Sequence, residues 1–576
     1  MVGHRPRRPD GTLLVYRYTA PETVGTAGQL ADGGSRTEIV ALPPNAEIER
    51  SELLVHLETS LAAAMQEGLD YLEHFEYECT EQVVSRFLPN LLTYRAITRL
   101  GLENPELAER LPALVAEGLE KLYLRQNTDG GWGWWDLDES SPYLTAYVVF
   151  ALTHARQTGY SVNSGVLDRG LDFLERQLAP SRELDSTWVA NRQAWLLYVL
   201  SEGGRAHEAE PYADALYVER ARLSHYARAF LAITLDGLGE RSGEVNVLLS
   251  DLYNNAIISA TGVHWEEADY DWWAMNTDTR STAVILDALV RLDPKQPLLP
   301  NVVRWLMVAR TGGIWETTQE TAWALIALTD WMDTTGELAG SYVYSATLGG
   351  EVLHDGVASF ESHLNPIQIT VAGEALETRA ENRLEISRGD GDGTLYYTAH
   401  LRVRLPVDEI EPLQRGVIVQ RQYLPADCPA DESCPEVHEV AVGEAIQVRL
   451  TIIAPHDLYY VVLEDPFPAG CEAVDTTLAT TSLLESEPGL TRSTSDGPWS
   501  WFSWWWWRWY SRSELRDEKL ALFADYLPAG TYTYQYTLRA SVPGQFKVLP
   551  ASANEFYFPE VFGRSDGRLF TVLEAE

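Results

Sequence analysis

The stretch Gly312–Leu328, GGIWETTQETAWALIAL, decides the fold, because it occurs in variant form three times in this chain of 576 residues. GGWGWW (Gly130–Trp135) precedes TAYVVFAL, GVHWEE (Gly262–Glu267) precedes STAVILDAL, and GGIWETT precedes TAWALIAL. The pattern Thr-Ala-x4-Ala-Leu therefore recurs at Thr145, Thr282 and Thr321. Alanine and threonine at helical spacing let helices approach closely, and a Gly-Trp loop starts each helix. Such units cannot bury their apolar faces alone and must close on one another. Paired helices with Gly-Trp loops imply an α/α toroid, with a linear solenoid as the fallback.

Outward from these repeats the chain changes character twice. From about Leu61 to residue 339 the apolar period is helical, as in LAAAMQEGLDYLEH and LDRGLDFLERQL. Before it, TLLVYRYTA, TEIVAL and ELLVHLET alternate apolar and polar residues as strands do; after residue 340 strands return in AIQVRLTIIAP, YYVVLEDPF and TYTYQYTLRASV. The expected architecture is multidomain α+β, a helical block inserted between β segments, with divisions at 1–60, 61–339, 340–406 and 407–576.

Composition narrows the function. With 84 acidic against 44 basic residues the formal charge is −40, which argues against nucleic acid or an anionic membrane surface as the main partner. No apolar run is long enough to span a bilayer. The opening MVGHRPRRPDGTLLVYRY is basic but has no apolar core segment, so it does not read as a signal peptide. Of four cysteines, Cys428 and Cys434 lie close together in DCPADESC, which reads as a loop disulfide rather than a metal site, since no further ligand completes a set. A disulfide there favours an oxidising compartment. No cofactor or metal is expected.

Four stretches are candidates for chemistry. In FEYECTEQVVSRFLPN (Phe75–Asn90), Cys79 precedes Gln82 by three residues, so both face one way on a helical turn. The sulfur can attack the glutamine carboxamide, expel ammonia and close a thioester, which lasts only where water is excluded; the alternative is a buried, inert thiol. In DGGWGWWDLDESS, the run Asp136-Leu137-Asp138-Glu139 resembles the protonating acid motif of class II terpene cyclases but departs from it at the last position; as a loop, its Asp and Ser residues would cap the next helix. In HWEEADYDWW, His264, Glu266, Glu267, Asp269 and Asp271 suit either glycan hydrolysis or metal binding, or a capped loop. WSWFSWWWWRWY (Trp499–Tyr510) reads as a sticky surface or as packing against another domain.

Taken together, FEYECTEQVVSRFLPN, RQNTDGGWGWW…SPYLTAYVV, HWEEADYDWWAMNTDTRSTAVILDALVRL, RWLMVAR…GIWETTQETAWALIAL and the run from Leu515 to Gly567 containing NEFYFPE resemble bacterial alpha-2-macroglobulins, in the same order and over nearly the whole chain from about Leu14. The resemblance implies a toroidal thioester domain inserted in a CUB-type β-sandwich, followed by a C-terminal macroglobulin-like β-sandwich. It implies a protease inhibitor rather than an enzyme, trapping proteases covalently through lysine amines, with Cys79 as thiol donor, Gln82 as acyl donor, and Thr80 and Glu81 completing the motif. It further implies aromatic shielding by Phe75, Tyr77, Trp134, Trp135, Phe556 and Tyr557, where Phe75 and Phe556 depart from the usual tyrosine and methionine. The histidine that assists transfer to hydroxyls in complement relatives has no counterpart in GGWGWWDLDESSPY, which favours direct aminolysis. Upstream macroglobulin domains, a bait region and an export signal are not among these residues, so the chain reads as the C-terminal portion of a longer extracellular or periplasm-like inhibitor. A toroid enzyme using Asp136, Asp138 or Glu266, and a non-covalent interaction module using Trp499–Tyr510, are the competing expectations.

Overall fold

The structure, a computed structural model, describes residues 20–43, 46–100, 104–136, 138–259, 262–268, 271, 274–310, 313–335, 341–359, 366–376, 381–429, 434–474, 489–493 and 509–574. The chain forms two units. One comprises Thr23–Pro44 and Glu52–Arg402; the other comprises Asn45–Ser51 and Val403–Glu576, together with the segment up to Glu22.

In the first unit the described residues form twelve α-helices: α1 (Leu61–Glu73), α2 (Thr80–Arg99), α3 (Pro105–Arg125), α4 (Pro142–Gln157), α5 (Ser164–Arg176), α6 (Thr187–Glu202), α7 (Ala206–Val218), α8 (His225–Leu238), α9 (Ser242–Asn254), α10 (Asp278–Leu292), α11 (Leu299–Val308) and α12 (Thr318–Thr335). The even-numbered helices pack each on the next, and α12 returns onto α2, closing a ring of six. Burial shows why. Every residue of α4 from Tyr143 to Ala155 is buried, as an inner helix enclosed on all sides requires. In α5 only Val166, Leu167, Gly170, Leu171, Phe173 and Leu174 are buried, a single stripe facing inward. Side-chain caps start several helices: Ser60 accepts from the Ala63 N–H, Asn104 from Leu107, Ser141 from Leu144 and Thr277 from Arg280.

The repeated sequence is a repeated hydrogen-bond unit. Trp132, Trp265 and Trp315 are wholly buried, and their indole N–H groups donate to the carbonyls of Leu122, Leu252 and Leu306 in the preceding outer helix, at 2.7, 2.8 and 2.8 Å. The backbone of each tryptophan bonds the repeated threonine: Trp132 N–H to Thr145 Oγ1 (2.9 Å), Trp265 N–H to Thr282 Oγ1 (3.1 Å), and Thr321 Oγ1 to the Trp315 carbonyl (3.2 Å). One residue pair thus fixes outer helix, loop and inner helix together. In α6 Gln193 takes the threonine position and clamps both N–H and C=O of Ala179, at 2.9 and 3.0 Å. Two loop glycines are obligatory. Gly130 has φ +93° and a Cβ there would lie 2.5 Å from the Arg169 carbonyl; Gly262 has φ +135° and would meet the Asn301 carbonyl at 2.3 Å.

Two four-stranded sheets accompany the ring. One runs Ala20–Leu30, Leu395–Leu405, Glu52–Glu58, Ile367–Ala372; the other runs Gly34–Val40, Asn382–Arg388, Tyr342–Leu348, Glu351–Ala358. Tyr397 of the first donates to Glu38 of the second at 2.6 Å. Strands before and after the helical block therefore share sheets, with Glu58 opposite Tyr396 and Glu52 opposite Arg402.

The second unit is a β-sandwich. One sheet has the order Leu413–Arg415, Phe558–Arg564, Ser552–Glu555, Leu458–Pro466, Lys519–Leu527, Arg512–Leu515. The facing set is Ile418–Pro425, Ala445–Ala454, Gly530–Ala540 and Cys471–Ala473. Alternation along Ala445–Ala454 sends Ile446, Val448, Leu450 and Ile452 into the core. Inside lies a fully buried ion pair, Arg421 to Asp465 at 2.8 Å, with Tyr536 donating to the same carboxylate at 2.6 Å. Cys428 and Cys434 are joined in a disulfide, with Cα atoms 6.1 Å apart. Of the tryptophan-rich run, residues 499–508 lie outside the described residues; Trp509 and Tyr510 are buried in this core against Tyr532 and Tyr534. The strand reading over Thr12–Thr19 and the site candidate Asp269 also lie outside them.

Thr282→Val leaves the Trp265 N–H buried without its acceptor and is expected to cost roughly 1–3 kcal/mol in denaturant unfolding followed by circular dichroism; an unchanged midpoint would refute the staple. In the sandwich, burial pushes the Glu555 carboxyl up to about 8, with Glu560 adding to it and the Tyr459 N–H opposing. A carboxyl held protonated by the fold contributes stability below its unfolded value, and that contribution is lost as pH rises towards about 8. Hydrogen-exchange protection of Leu458–Pro466 should fall as the pH climbs over that window, after correction for intrinsic exchange, and Glu555→Gln should flatten the slope.

Candidate functional site: the first turn of helix α2

Helix α2 begins at Thr80, and Cys79 occupies its N-cap with φ −68° and ψ 170°. Cap and third residue satisfy each other. The Cys79 sulfur accepts the Gln82 backbone N–H, and the Gln82 side-chain oxygen accepts the Cys79 backbone N–H at 2.9 Å. This exchange brings thiol and carboxamide to one side of one turn. It also places a backbone donor on the carboxamide oxygen, where negative charge develops when a nucleophile adds to that carbon.

The turn is sealed. Cys79 is 4 % exposed, Gln82 3 %, and Thr80 and Glu81 not at all. The Gly-Trp loop closes directly on it, with the Thr80 N–H donating to the Trp134 carbonyl at 2.9 Å. Trp134 is buried and Trp135 half-buried. Tyr77 is buried, and Phe75, half-buried, packs edge-on between Tyr71 (5.3 Å) and Tyr77 (6.3 Å). Arg125 ties loop to motif, donating to the Glu78 carbonyl at 3.0 Å and pairing with Asp136 at 3.0 Å. Glu78 also pairs with Arg86 and Lys121; burial raises its carboxyl, but these two cations outweigh that and hold it below the ordinary range.

Burial pushes the Cys79 thiol far above its usual range, and the nearby charge of Glu81 pushes the same way; backbone N–H groups of Gln82 and Glu81 and the charge of Arg125 oppose them and lose. The site therefore disfavours a free thiolate and favours sulfur that is protonated or acylated. Glu81 itself accepts from Ser85 (2.5 Å), Thr318 (3.0 Å) and Gln319 (2.7 Å). Ser85 in turn meets the Tyr147 hydroxyl at 3.0 Å.

The structure thus brings together Cys79, Thr80, Glu81, Gln82, Phe75, Tyr77, Trp134 and Trp135. Phe556 and Tyr557 belong to the second unit, where Tyr557 is buried against Tyr460 (5.3 Å) and the Phe556 N–H donates to the Tyr460 carbonyl (2.8 Å). The other carboxylates do structural work. Asp138 accepts the Trp135 N–H at 2.8 Å, and Glu267 caps α8 through the N–H groups of His225 and Tyr226, at 3.0 and 3.1 Å. Glu266 is exposed beside His264, which stacks on Trp305, and Asp271 accepts from Tyr226 at 3.2 Å. Among the described residues no group of three His, Cys, Asp or Glu side chains is placed to hold a metal. Arg125, Thr318 and Gln319 were not legible as site residues, since they come from helices distant in sequence.

Comparison with known proteins places this architecture. A family model described as the A-macroglobulin TED domain matches residues 54–215, and one described as the bacterial alpha-2-macroglobulin MG10 domain matches residues 416–560. The alpha-2-macroglobulin homolog of Nostoc sp. is 27% identical over 465 residues, covering 78% of this chain and 23% of its own length. The alpha-2-macroglobulin of Thermotoga maritima is 28% identical over 276 residues, 47% of this chain and 15% of its own. The chain spans less than a quarter of the length of these two relatives. Native alpha-2-macroglobulin from Escherichia coli, solved from domain MG7 to its C-terminus, shares the fold at TM-score 0.70 and 19% identity, over 96% of this chain and 82% of that one. Salmonella alpha-2-macroglobulin reacted with methylamine gives 0.69 at 20% identity, over 96% of this chain and 34% of that one. No helix among the described residues is long and apolar enough to cross a membrane. A helical unit matched by the A-macroglobulin TED model, followed by a sandwich matched by the bacterial MG10 model, with relatives and folds that agree, makes the chain similar to the C-terminal portion of the bacterial alpha-2-macroglobulins.

Proposed function

We propose that Cys79 and Gln82 close an internal thioester, and that the chain is the covalent-trapping portion of a bacterial endopeptidase inhibitor. The observation that carries this reading is the reciprocal cap, with the Gln82 oxygen 2.9 Å from the Cys79 N–H inside a turn closed to water. In forming the bond, the sulfur adds to the carboxamide carbon, the C–N bond breaks, and the thiol proton leaves with the amide nitrogen as ammonia. In firing, a lysine amine of the attacking protease adds to the same carbon; an amide forms and Cys79 regains a proton as a thiol. One thioester is consumed per capture, so the chain acts stoichiometrically and not as an enzyme.

Phe75, Tyr77, Trp134 and Trp135 form the water barrier on the toroid. A groove of about 720 Å³ beside the Gly-Trp loop is lined by Asp129, Asp136 and Glu139, with Arg125 paired to Asp136, and the net negative lining suits cationic lysine over a neutral hydroxyl. Upstream macroglobulin domains would sense the protease, in an extracellular or periplasm-like compartment. The four divisions at 1–60, 61–339, 340–406 and 407–576 would then be the first CUB-like half, the thioester domain, the second half and the C-terminal macroglobulin-like domain.

Intact mass of the natively purified chain should be lower than the encoded value by one ammonia, and methylamine should add its own mass and release one titratable thiol. An encoded mass with the Cys79 thiol already titratable sinks the proposal. In Gln82→Ala, which cannot form the bond, Cys79 should alkylate at least ~10-fold more slowly at mildly alkaline pH when folded than when unfolded. Equal rates would contradict the burial and charge argument.

A further inference from the structure

The register of the repeat reaches further than its threonines. The positions of Thr145, Gln193, Arg228, Thr282 and Thr321 are each followed by alanine, at 146, 194, 229, 283 and 322. Two residues before each stand Tyr143, Asn191, Tyr226, Arg280 and Gln319, all buried. They form a polar layer across the inner barrel, at the end where α2 presents Glu81. Arg280 donates to the Tyr143 hydroxyl and lies over the rings of Tyr143 (5.7 Å) and Tyr226 (5.4 Å). Gln319, 1 % exposed, donates to Glu81 at 2.7 Å, and its neighbour Thr318 donates to the other Glu81 oxygen at 3.0 Å. Among the described residues no donor reaches the buried Gln319 side-chain oxygen, so the bond from its amide nitrogen to the carboxylate orients that amide.

We infer that Gln319, with Thr318, is a positioning residue for thioester formation: the first turn of the last helix holds Glu81 so that Cys79 and Gln82 face each other. The inference rests on the thioester reading above and adds to it a requirement for ring closure. Glu81 lies between Cys79 and Gln82 in sequence, and its carboxylate is the anchor by which α12, more than two hundred residues later, fixes the turn that both reacting groups share. A charged hydrogen bond with no water to replace it is strongly directional. Until α12 docks on α2, the cap is free to fray as helix starts do, and the sulfur and carboxamide are not held together.

The test compares the full chain with Gln319→Leu, and with Thr329→Val as a control on the same α2–α12 seam, where Thr329 meets Thr93 at 2.9 Å away from the motif. The readouts are the fraction of molecules lighter by one ammonia and the thermal midpoint. Gln319→Leu should lower the thioester fraction roughly tenfold, whereas Thr329→Val should shift the midpoint at least as much and leave the thioester in place. Gln319→Glu opposes two carboxylates and should also lose the bond; Glu81→Gln combined with Gln319→Glu restores a donor–acceptor pair and should recover it. A full thioester fraction in Gln319→Leu overturns the inference, as does a double exchange that melts like the parent yet lacks the bond. Absence of the thioester from the parent chain overturns the functional reading itself, so the two failures are told apart by which protein shows them.

Discussion

Everything in the helical unit depends on the bond between a buried tryptophan backbone and a buried threonine. The Trp132–Thr145 and Trp265–Thr282 pairs set how far α4 and α10 are pushed along the barrel axis, because the loop that enters each helix is pinned near that helix's start. Repeating one pin around a ring puts the helix starts on a common level. Only then do side chains from different helices meet in layers. The polar layer of Tyr143, Tyr226, Arg280 and Gln319 and the aromatic stack of Phe150, Trp195, Phe230 and Trp323 follow from that shared level. The thioester motif is one more helix start on it.

How much of this the sequence discloses depends on whether a position keeps one chemistry around the ring. Thr145, Thr282 and Thr321 each bond the backbone of their own loop tryptophan and so repeat visibly. Gln193 makes an equivalent clamp with a longer side chain, and the pattern is lost at α6. The polar layer is harder still, since its members share a register but not a residue type. The pair Cys79 and Gln82 was legible because its geometry is local, three residues on one turn. Gln319 and Arg125 were not, because their roles exist only once helices distant in sequence have packed. The acidic loop residues were the converse case. Asp138 and Glu267 look like chemistry in the sequence, and folding uses them to satisfy loop and helix-start N–H groups.

Charge is handled differently inside and out. The excess of 40 negative charges is an overall property of the chain, whereas ions in or near the interior are met by specific partners. Arg421 and Asp465 neutralise each other with Tyr536 on the second oxygen. Asp287 and Asp330 share Arg291 where α10 meets α12. Glu81 is unlike these in being held by a hydroxyl and an amide from α12 together with Ser85. Next to burial, its negative charge is what pushes the neighbouring thiol upward, in the direction that keeps that sulfur from leaving as thiolate.

The sheet shared across the helical insert has a mechanical meaning. Strand Glu52–Glu58 leads into the ring; the chain leaves the ring towards Tyr342–Leu348 and returns later as strand Leu395–Leu405, which pairs antiparallel with Glu52–Glu58 over seven positions from Glu52–Arg402 to Glu58–Tyr396. Tension applied to the chain on either side enters at the Glu52–Arg402 end and must unzip the ladder pair by pair before any of it reaches the toroid. The ladder acts as a fuse in series with the ring. Movements that leave it zipped can carry the ring as a rigid body while the sealed first turn of α2 feels no strain, and the load at which the fuse opens is the threshold that tension along the chain must pass before it reaches the reactive turn.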